Sequence, residues 1–161
     1  MEAANITMDP LFVKNAVPPN FYPSIGSELF DERTPQNGLT LAASSPLTTL
    51  TTFNVPVSAW GILKGFGQGV AVIAAWSNIV WGLQINGAYI SGYSTIYDQL
   101  STLTRPIFLF RELRSSDIIR LVARNQSTTT SYTVYGHILG WYYSGENPIE
   151  DFYEQGQGRV G

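Results

Sequence analysis

The only histidine of the chain is the first residue to test for chemistry, because an imidazole acts as a base or a metal ligand near neutral pH. His137 lies in an aromatic stretch beside Tyr135 and Trp141. A zinc site needs three or four N, S or O ligands, and the chain has no cysteine. A Ser–His–Asp arrangement has no supporting G-x-S-x-G motif. We therefore interpret His137 as a hydrogen-bonded packing residue, and the sequence predicts neither a metal nor another cofactor.

Paired carboxylates are the second candidate, because general acid–base catalysis needs acids held in a rigid, partly buried setting. Asp31-Glu32 falls in an irregular N-terminal segment, and Glu150-Asp151 falls in the C-terminal segment. Glu112 lies between Arg111 and Arg114, which favours a surface ion pair. No convergent set of titratable groups emerges, so the sequence predicts a protein that is not an enzyme.

The glycine string Gly65-Phe66-Gly67-Gln68-Gly69 is the only motif with the look of a phosphate loop. Phosphate loops continue into Lys-Ser or Lys-Thr and a helix, whose N-terminus binds the anion. Neither feature follows here. We interpret the string as a sharp connection between two strands.

The basic residues are unevenly distributed. Five of the nine fall between positions 105 and 124, and all five are arginines: Arg105, Arg111, Arg114, Arg120 and Arg124. Guanidinium groups bind carboxylates and phosphates in fixed geometry. A solvated sheet face, a contact with an acidic partner and nucleic-acid binding remain open, although a net charge of −3 argues against nucleic acid. Arg111, Arg120 and Arg124 are the candidate contacts on the sheet.

Composition favours sheets and contact surfaces. Charged residues make up 13% of the chain and aromatic residues another 13%, whereas charged residues average about 25% in globular proteins.

The N-terminus has neither the basic nor the apolar region of a signal peptide. The most apolar run, 69–75, is far shorter than the roughly 20 residues that span a bilayer. We expect no membrane partner.

Residues 46–144 have the pattern of an antiparallel β-sandwich. Short alternating segments follow one another, and Asn86-Gly87 supplies a strong hairpin signal. One short helical turn fits within Ile96 to Leu103, and Ala88 to Ser94 reads as a return strand. About eight strands at this spacing predict an all-β fold with a jelly-roll topology, and an immunoglobulin-like topology is the alternative.

The flanking segments differ from this domain. Residues 1–45 contain prolines that interrupt any period, yet they also carry spaced apolar side chains, so we predict an extended arm. Its candidate contacts are Phe12, Phe21, Tyr22 and Phe30. Packing on its own domain, reaching a neighbouring subunit and disorder remain open for the arm. Residues 145–161 are predicted to form a flexible tail.

A resemblance extends these predictions. The run from Ser116 to Asn125 leads through a Ser/Thr-rich loop to a strand ending in Gly140-Trp141. This part resembles small β-sandwich virion proteins of tailed bacteriophages, in which a D-x-I/V-R-L/V-x-A-x-N strand precedes the final core strand. The resemblance implies a structural virion protein, assembled in the host cytoplasm. It implies a homo-oligomer, with a trimer favoured, that decorates or cements a capsid and contacts the major capsid or another virion protein.

The alternative function is binding of host-surface glycans by a tail or fibre module. Exposed aromatic rings stack on sugars, and several aromatic residues fall near predicted loops. These are Trp76, Trp81, Tyr89, Tyr93 and Tyr97. Burial in a sandwich core explains such residues equally well.

Overall fold

A computed structural model describes residues 26–97 and 99–145, which form two antiparallel sheets. Sheet A contains β1 (Glu28–Arg33), β2 (Leu39–Leu41), β4 (Ala59–Val70), β7 (Ile107–Leu113) and β9 (Tyr132–Ser144). Sheet B contains β3 (Thr48–Asn54), β5 (Ile79–Ile85), β6 (Ala88–Tyr89) and β8 (Ile118–Asn125). A single 3-10 turn, Ile73–Ala75, joins β4 to β5.

The strand order identifies the topology. Sheet A runs β1-β9-β4-β7, and β2 continues β1 along the same side of β9. Sheet B runs β3-β8-β5-β6. With β1 and β2 sharing one position, this is the eight-position order of a jelly roll. The predicted all-β sandwich is therefore confirmed, and the immunoglobulin-like alternative does not match the strand order.

The core lies between the two sheets. Sheet A contributes Leu63, Phe66 and Ile138, and sheet B contributes Leu83 and Leu121, all of them fully buried. In β5, β8 and β9 the core residues occupy alternate positions, which is the period expected when one face of a sheet is buried. In β4 a bulge between Leu63 and Gly65 breaks this period, so that Leu63 and Phe66 both face the core although they are three residues apart. The strands are thus held by apolar packing between two layers.

The N-terminal boundary differs from the prediction. Residues 28–41 were assigned to the arm, yet β1 and β2 both pair with β9, so the sheet begins at Glu28 and not at residue 46. A tight turn separates the two strands, in which the Gly38 amide donates to the Pro35 carbonyl at 2.7 Å. Gly38 has φ +73°, a conformation that suits glycine. Pro35 and this turn interrupt the alternation on which strand prediction depends.

The glycine string also differs from the prediction, because it lies inside β4 and connects no strands. A Cβ atom on Gly65 would lie 1.9 Å from the Ile107 carbonyl oxygen. A Cβ atom on Gly67 would lie 2.2 Å from His137 Nε2. Glycine is therefore required here for close approach of neighbouring strands and side chains, a recognised role of strand glycines.

The segment after the Asn86-Gly87 hairpin is less regular than predicted. The return strand is only Ala88–Tyr89, and the described part of 96–103 contains no helix. Ile96 instead exchanges backbone hydrogen bonds with Trp81 at 2.9 and 3.0 Å. The Gln68 side-chain oxygen accepts from the amides of Leu100 and Ser101. This loop is therefore anchored to both sheets without regular structure.

Candidate interaction surfaces

His137 is held in place by β1. Its ring is 3% exposed, and Nδ1 lies 3.1 Å from Asp31 Oδ1. The Asp31 carboxylate also accepts two hydrogen bonds from Arg33, at 3.0 and 2.5 Å. The Arg33 guanidinium is the main reason that the pKa of Asp31 lies below its usual value. Asp31 therefore orients the imidazole from the outer side of sheet A.

The chemistry open to this cluster is narrow. The other ring nitrogen, Nε2, is buried against Gly67 and has no hydrogen-bond partner among the described residues. A base or a ligand needs an accessible nitrogen, and this one is covered. Within residues 26–97 and 99–145, no group of three or more His, Cys, Asp or Glu side chains is placed to hold a metal ion. The geometry is that of a packing residue with one hydrogen bond.

The side of sheet A that points away from sheet B carries large apolar side chains, and we call it the aromatic face. Its members are Leu29, Trp60, Ile62, Phe108, Phe110, Trp141 and Tyr143. Alternation places Trp60, Ile62 and Trp141 on this side, and they are absent from the cluster packed between the sheets. An outer sheet face normally carries polar residues.

The aromatic face is close-packed at its centre and exposed at both sides. Trp60 stacks on Tyr143 with ring centroids 4.6 Å apart, and Trp141 is 1% exposed. Leu29 on β1 is 74% exposed, and Phe108 on β7 is 54% exposed. Apolar surface of this kind marks sites of contact with other molecules.

The three candidate arginines do not share one surface. Arg120 and Arg124 lie on the outer face of β8 in sheet B, and they alternate with buried residues as predicted. Arg111 belongs to β7 in sheet A. Its neighbours in space come from the β6 hairpin and from the turn that joins β7 to β8.

A groove separates β7, at the edge of sheet A, from the β5–β6 hairpin, at the edge of sheet B, and we call it the arginine groove. It has a volume of about 690 Å³. Its lining residues are Ile85, Ala88, Tyr89, Ile90, Ser91, Arg111, Glu112, Arg114 and Asp117. The lining brings together two guanidinium groups, of Arg111 and Arg114, and two carboxylates, of Glu112 and Asp117, so the groove is polar and its formal charges balance.

Of the four residues predicted as contacts of the arm, the structure describes one. Phe12, Phe21 and Tyr22 lie outside the described residues, as does the tail beyond residue 145. Phe30 is 6% exposed and stacks on Phe53 of sheet B at 3.8 Å between centroids. Phe30 is therefore a core residue between the sheets, and its assignment as a contact for another protein is wrong.

The five aromatic residues considered for glycan binding lie in different environments. Trp81 is buried in the core, Trp76 packs against it, and Tyr93 contacts Phe66 edge-on. Tyr97 is exposed on the following loop, and Tyr89 lines the arginine groove. Tyr89 lines the arginine groove, and Tyr89 and Trp81 both line a second, smaller cleft with Ser94, Thr95 and Arg124.

The residues that carry the virion resemblance have structural roles. The Asp117 carboxylate accepts from the Arg114 amide and from Asn86 Nδ2, each at 2.7 Å, which closes the turn before β8. Asn125 Nδ2 donates to the carbonyls of Leu41, Ala42 and Thr130. The motif therefore specifies how β8 begins and ends.

Comparison with known proteins adds no family: no protein-family model and no curated protein matches this chain. Within the described residues, none of the helical segments is long and apolar enough to cross a membrane. Sequence reasoning predicts association through an aromatic sheet face but not the residues that form it, although Leu29, Trp60 and Phe108 are visible in the sequence. Their shared orientation depends on strand register, which one sequence does not reveal.

Proposed function

We propose that this chain is a non-enzymatic structural protein of a phage virion, most simply a capsid decoration, cement or minor head protein. It forms a homo-oligomer, with a trimer favoured, and clasps neighbouring subunits through residues 1–25. The major capsid protein or another virion protein is its partner. The sequence resemblance supports the virion assignment, and jelly rolls recur in viral capsid domains.

One observation carries the structural part of the proposal, namely the aromatic face. Solvent exposure of Leu29 and Phe108 is unfavourable by about 25 cal/mol for each Å² of apolar surface left in water. A second protein surface that covers Leu29 and Phe108 removes this unfavourable exposure.

The proposal predicts that the mass of the protein in solution depends on two regions, the N-terminal arm and the aromatic face. Light scattering after gel filtration should give an oligomer for the full chain. A chain that begins at Gly26 keeps all strands that the structure describes, because β1 starts at Glu28, and should give a smaller mass. Phe21→Ala with Tyr22→Ala should weaken association in the same direction while the sandwich stays folded.

The aromatic face is tested by charge. Leu29→Glu with Phe108→Glu should dissociate the oligomer, because burial of an unpaired carboxylate is costly. Thr49→Glu with Asn54→Glu is the matched control, since it places two charges on exposed positions of sheet B. Monomers in every sample, at all concentrations, would refute oligomerisation. The virion assignment itself requires that the chain be found in purified particles of the phage that encodes it.

The second candidate function is glycan or receptor binding by a tail or fibre module, and the arginine groove favours it. Tyr89 borders the groove with its ring lying over Gly82 on the outer side of sheet B, while Arg111 and Arg114 supply donors for hydroxyl or acidic groups. Titration of intrinsic fluorescence with saccharides, together with a glycan array, separates the two functions. Binding that Tyr89→Ala abolishes would support the glycan module.

A further inference from the structure

Strand β3 lies at the edge of sheet B, and one of its two sides has no partner strand. Sheet B runs β3-β8-β5-β6, so among the described residues β3 pairs with β8 only. A bulge interrupts this pairing between Thr49 and Thr51, and residues 51–54 then pair without interruption. An edge strand presents unpaired N–H and C=O groups, to which another extended chain can add.

Hydrogen bonds at the end of β3 show which backbone groups are unpaired. The Val55 amide donates to the Asp117 carbonyl at 2.8 Å, so the backbone of Val55 bonds toward β8. The Ile118 carbonyl accepts from the β5–β6 turn at 2.8 Å, so Ile118 bonds away from Asn54, its neighbour on β3. Because this direction alternates along a strand, Thr52 and Asn54 direct their N–H and C=O groups away from β8. None of the described residues bonds to these groups from that side.

The two edge strands of sheet A that lie opposite each other carry charges that β3 lacks. β1 has four charged residues among its six, and β7 has two among its seven. β3, with the sequence TTLTTFN, has neither a charged residue nor a proline. Charges and prolines on an edge strand discourage pairing with other chains. The sequence of β3 therefore opposes strand addition less than those of β1 and β7 do.

Two carboxylates of β1 lie beside the free edge of β3. Phe30 stacks on Phe53 of β3 with ring centroids 3.8 Å apart, so this side of β1 faces β3. Glu28 and Glu32 lie two residues before and two residues after Phe30, on the same side of the strand, and both are exposed. The Tyr142 hydroxyl donates to Glu28 Oε2 at 2.5 Å, and its ring lies 5.7 Å from that of Phe53. A strand added to β3 would run next to both carboxylates.

The charge beside this edge is negative on the side of β1. Both ion pairs of the described residues use Asp31, so neither Glu28 nor Glu32 has a basic partner among them. Arg33 lies with Asp31 on the opposite side of β1. Arg120 lies on the outer face of sheet B. A basic side chain on an added strand is therefore attracted when it points toward β1 and repelled when it points to the outer face.

We propose that the free edge of β3 binds an extended segment of a partner protein with two basic residues four positions apart and an apolar residue midway between them. The segment extends sheet B by hydrogen bonds with the backbone of Thr52 and Asn54. Its basic residues pair with Glu28 and Glu32, which lie about 14 Å apart along β1, and its apolar residue packs beside Phe53. Symmetric pairing of two β3 strands would bring the carboxylates of both chains together, which disfavours a second copy as the occupant. This inference does not depend on the proposed virion function.

The experiment titrates the isotope-labelled full chain with a synthetic peptide and follows the amide signals in the NMR spectrum. The peptide has the order threonine, lysine, threonine, valine, threonine, lysine, threonine. Saturable shifts should be concentrated at 50–55 and 28–32, and exchange of the Thr52 and Asn54 amides with solvent should slow. A peptide with glutamate in place of both lysines should bind at least about tenfold more weakly.

Charge reversal on the protein tests the same pairing from the other side. Glu28→Lys with Glu32→Lys should reverse the preference, so that the glutamate peptide binds more tightly than the lysine peptide. Thr52→Pro removes an N–H of the free edge without removing a bond to β8, and it should weaken binding of the lysine peptide. Glu112→Lys, on the opposite edge of sheet A, is the matched control and should leave the preference unchanged. Because both peptides are also compared on the unmodified chain, the test does not depend on the folding of a variant.

Three results would overturn the proposal. Equal affinity for the two peptides would mean that Glu28 and Glu32 take no part. Absence of saturable shifts at 50–55 up to about 10 mM peptide would mean that the edge does not accept a strand. The third result is slow exchange of the Thr52 and Asn54 amides without peptide. If dilution, or a chain that begins at Gly26, made that exchange fast, a second copy or the N-terminal segment of the chain would be the occupant.

Discussion

The two sheets have similar inner faces and very different outer faces. Toward the core, both present alternating apolar residues of the same kind, such as Phe66 in sheet A and Leu121 in sheet B. On the outside, β3 and β8 of sheet B expose Thr49, Asn54 and Arg124. The outside of sheet A is the aromatic face. The aromatic face is thus a second apolar layer in addition to the core between the sheets, buried at Trp60 and Trp141 and exposed at Leu29 and Phe108.

The outer face of sheet B shows how a small apolar region is covered within the chain. Tyr89 lies over Gly82, where an added Cβ would approach the ring to 2.6 Å, and it shields Val122. Sheet A has a larger apolar area, and its edge residues Leu29 and Phe108 stay exposed. The difference makes the outer side of sheet A, and not that of sheet B, the surface on which the proposed association is expected.

The largest predicted effect comes from removing one of two buried tryptophans, Trp81 in the core between the sheets or Trp141 on the aromatic face. Trp81→Ala opens a cavity between the sheets and should lower the free energy of unfolding by about 3–5 kcal/mol. Trp141→Ala should also destabilise the domain, since Trp141 is buried. It should in addition weaken the proposed association, because its ring packs against Phe110 and supports the exposed part of the aromatic face. Chemical denaturation measures the first property, and sedimentation velocity measures the second.

The comparison fails if the two tryptophans behave alike in both measurements. A folded Trp81→Ala protein should keep the oligomer, because its ring lies in the core and touches no outer surface. Tyr97→Ala is the control for loss of an exposed aromatic ring, and its free energy of unfolding should change by less than about 0.5 kcal/mol. If Trp81→Ala weakened association as much as Trp141→Ala did, the aromatic face would have no special role.

A smaller loss of stability is expected from removing the Asn125 side chain, which links the two sheets by hydrogen bonds. Asn125 ends β8 in sheet B, and its side-chain amide donates to the carbonyls of Leu41 and Ala42 at the end of β2 in sheet A. Asn125→Ala leaves the buried Leu41 carbonyl and the partly buried carbonyls of Ala42 and Thr130 without their donor, so the free energy of unfolding should fall by about 2–3 kcal/mol. Urea denaturation measures the change.

Asn78→Ala is the matched control for this amide. Asn78 Nδ2 bonds to the exposed Ala74 carbonyl at 3.2 Å, where water can replace it. Its free energy of unfolding should therefore change by less than about 1 kcal/mol. An Asn125→Ala protein as stable as the Asn78→Ala protein would mean that apolar packing alone holds the sheets together at this end.

Much of the fold could be predicted because its signals are local. The alternation in β5 and β9 and the Asn86-Gly87 turn each depend on a few neighbouring residues. β1 was missed because Phe30 is its only buried residue, so no alternation is visible. The glycine string was misread because the reasons for Gly65 and Gly67 lie in β7 and β9, far away in sequence.

The candidate surfaces were harder to predict than the fold. The aromatic face combines residues of β1, β4, β7 and β9, which only the strand register brings together. The arginine groove combines β7 with the β6 hairpin of the other sheet. Clustering of arginines in the sequence did indicate a basic site. It could not separate Arg111, in the groove, from Arg120, on the opposite sheet.

The smallest predicted effect concerns pH and the outer side of sheet A. The hydrogen bond from Arg33 is the largest influence on Asp31; it lowers the pKa of this carboxyl below its usual 3.8, partial burial opposes the shift, and His137 adds to the lowering. A carboxyl whose pKa is lower in the folded state stabilises that state above about pH 4 and loses the contribution as pH falls through the folded pKa. Because the Asp31 side chain is 41% exposed, solvent screening limits the effect to less than about 1 kcal/mol.

Asp31→Asn should therefore flatten the decline in the free energy of unfolding between about pH 5 and about pH 3. Denaturation curves at several pH values measure this slope. Glu32→Gln is the matched control, because it removes one carboxylate from the same strand and leaves the bonds among Asp31, Arg33 and His137 in place. If Glu32→Gln flattened the decline as much as Asp31→Asn did, net charge would explain the acid dependence. A difference between the two would instead assign it to the cluster that orients His137 beneath the outer side of sheet A.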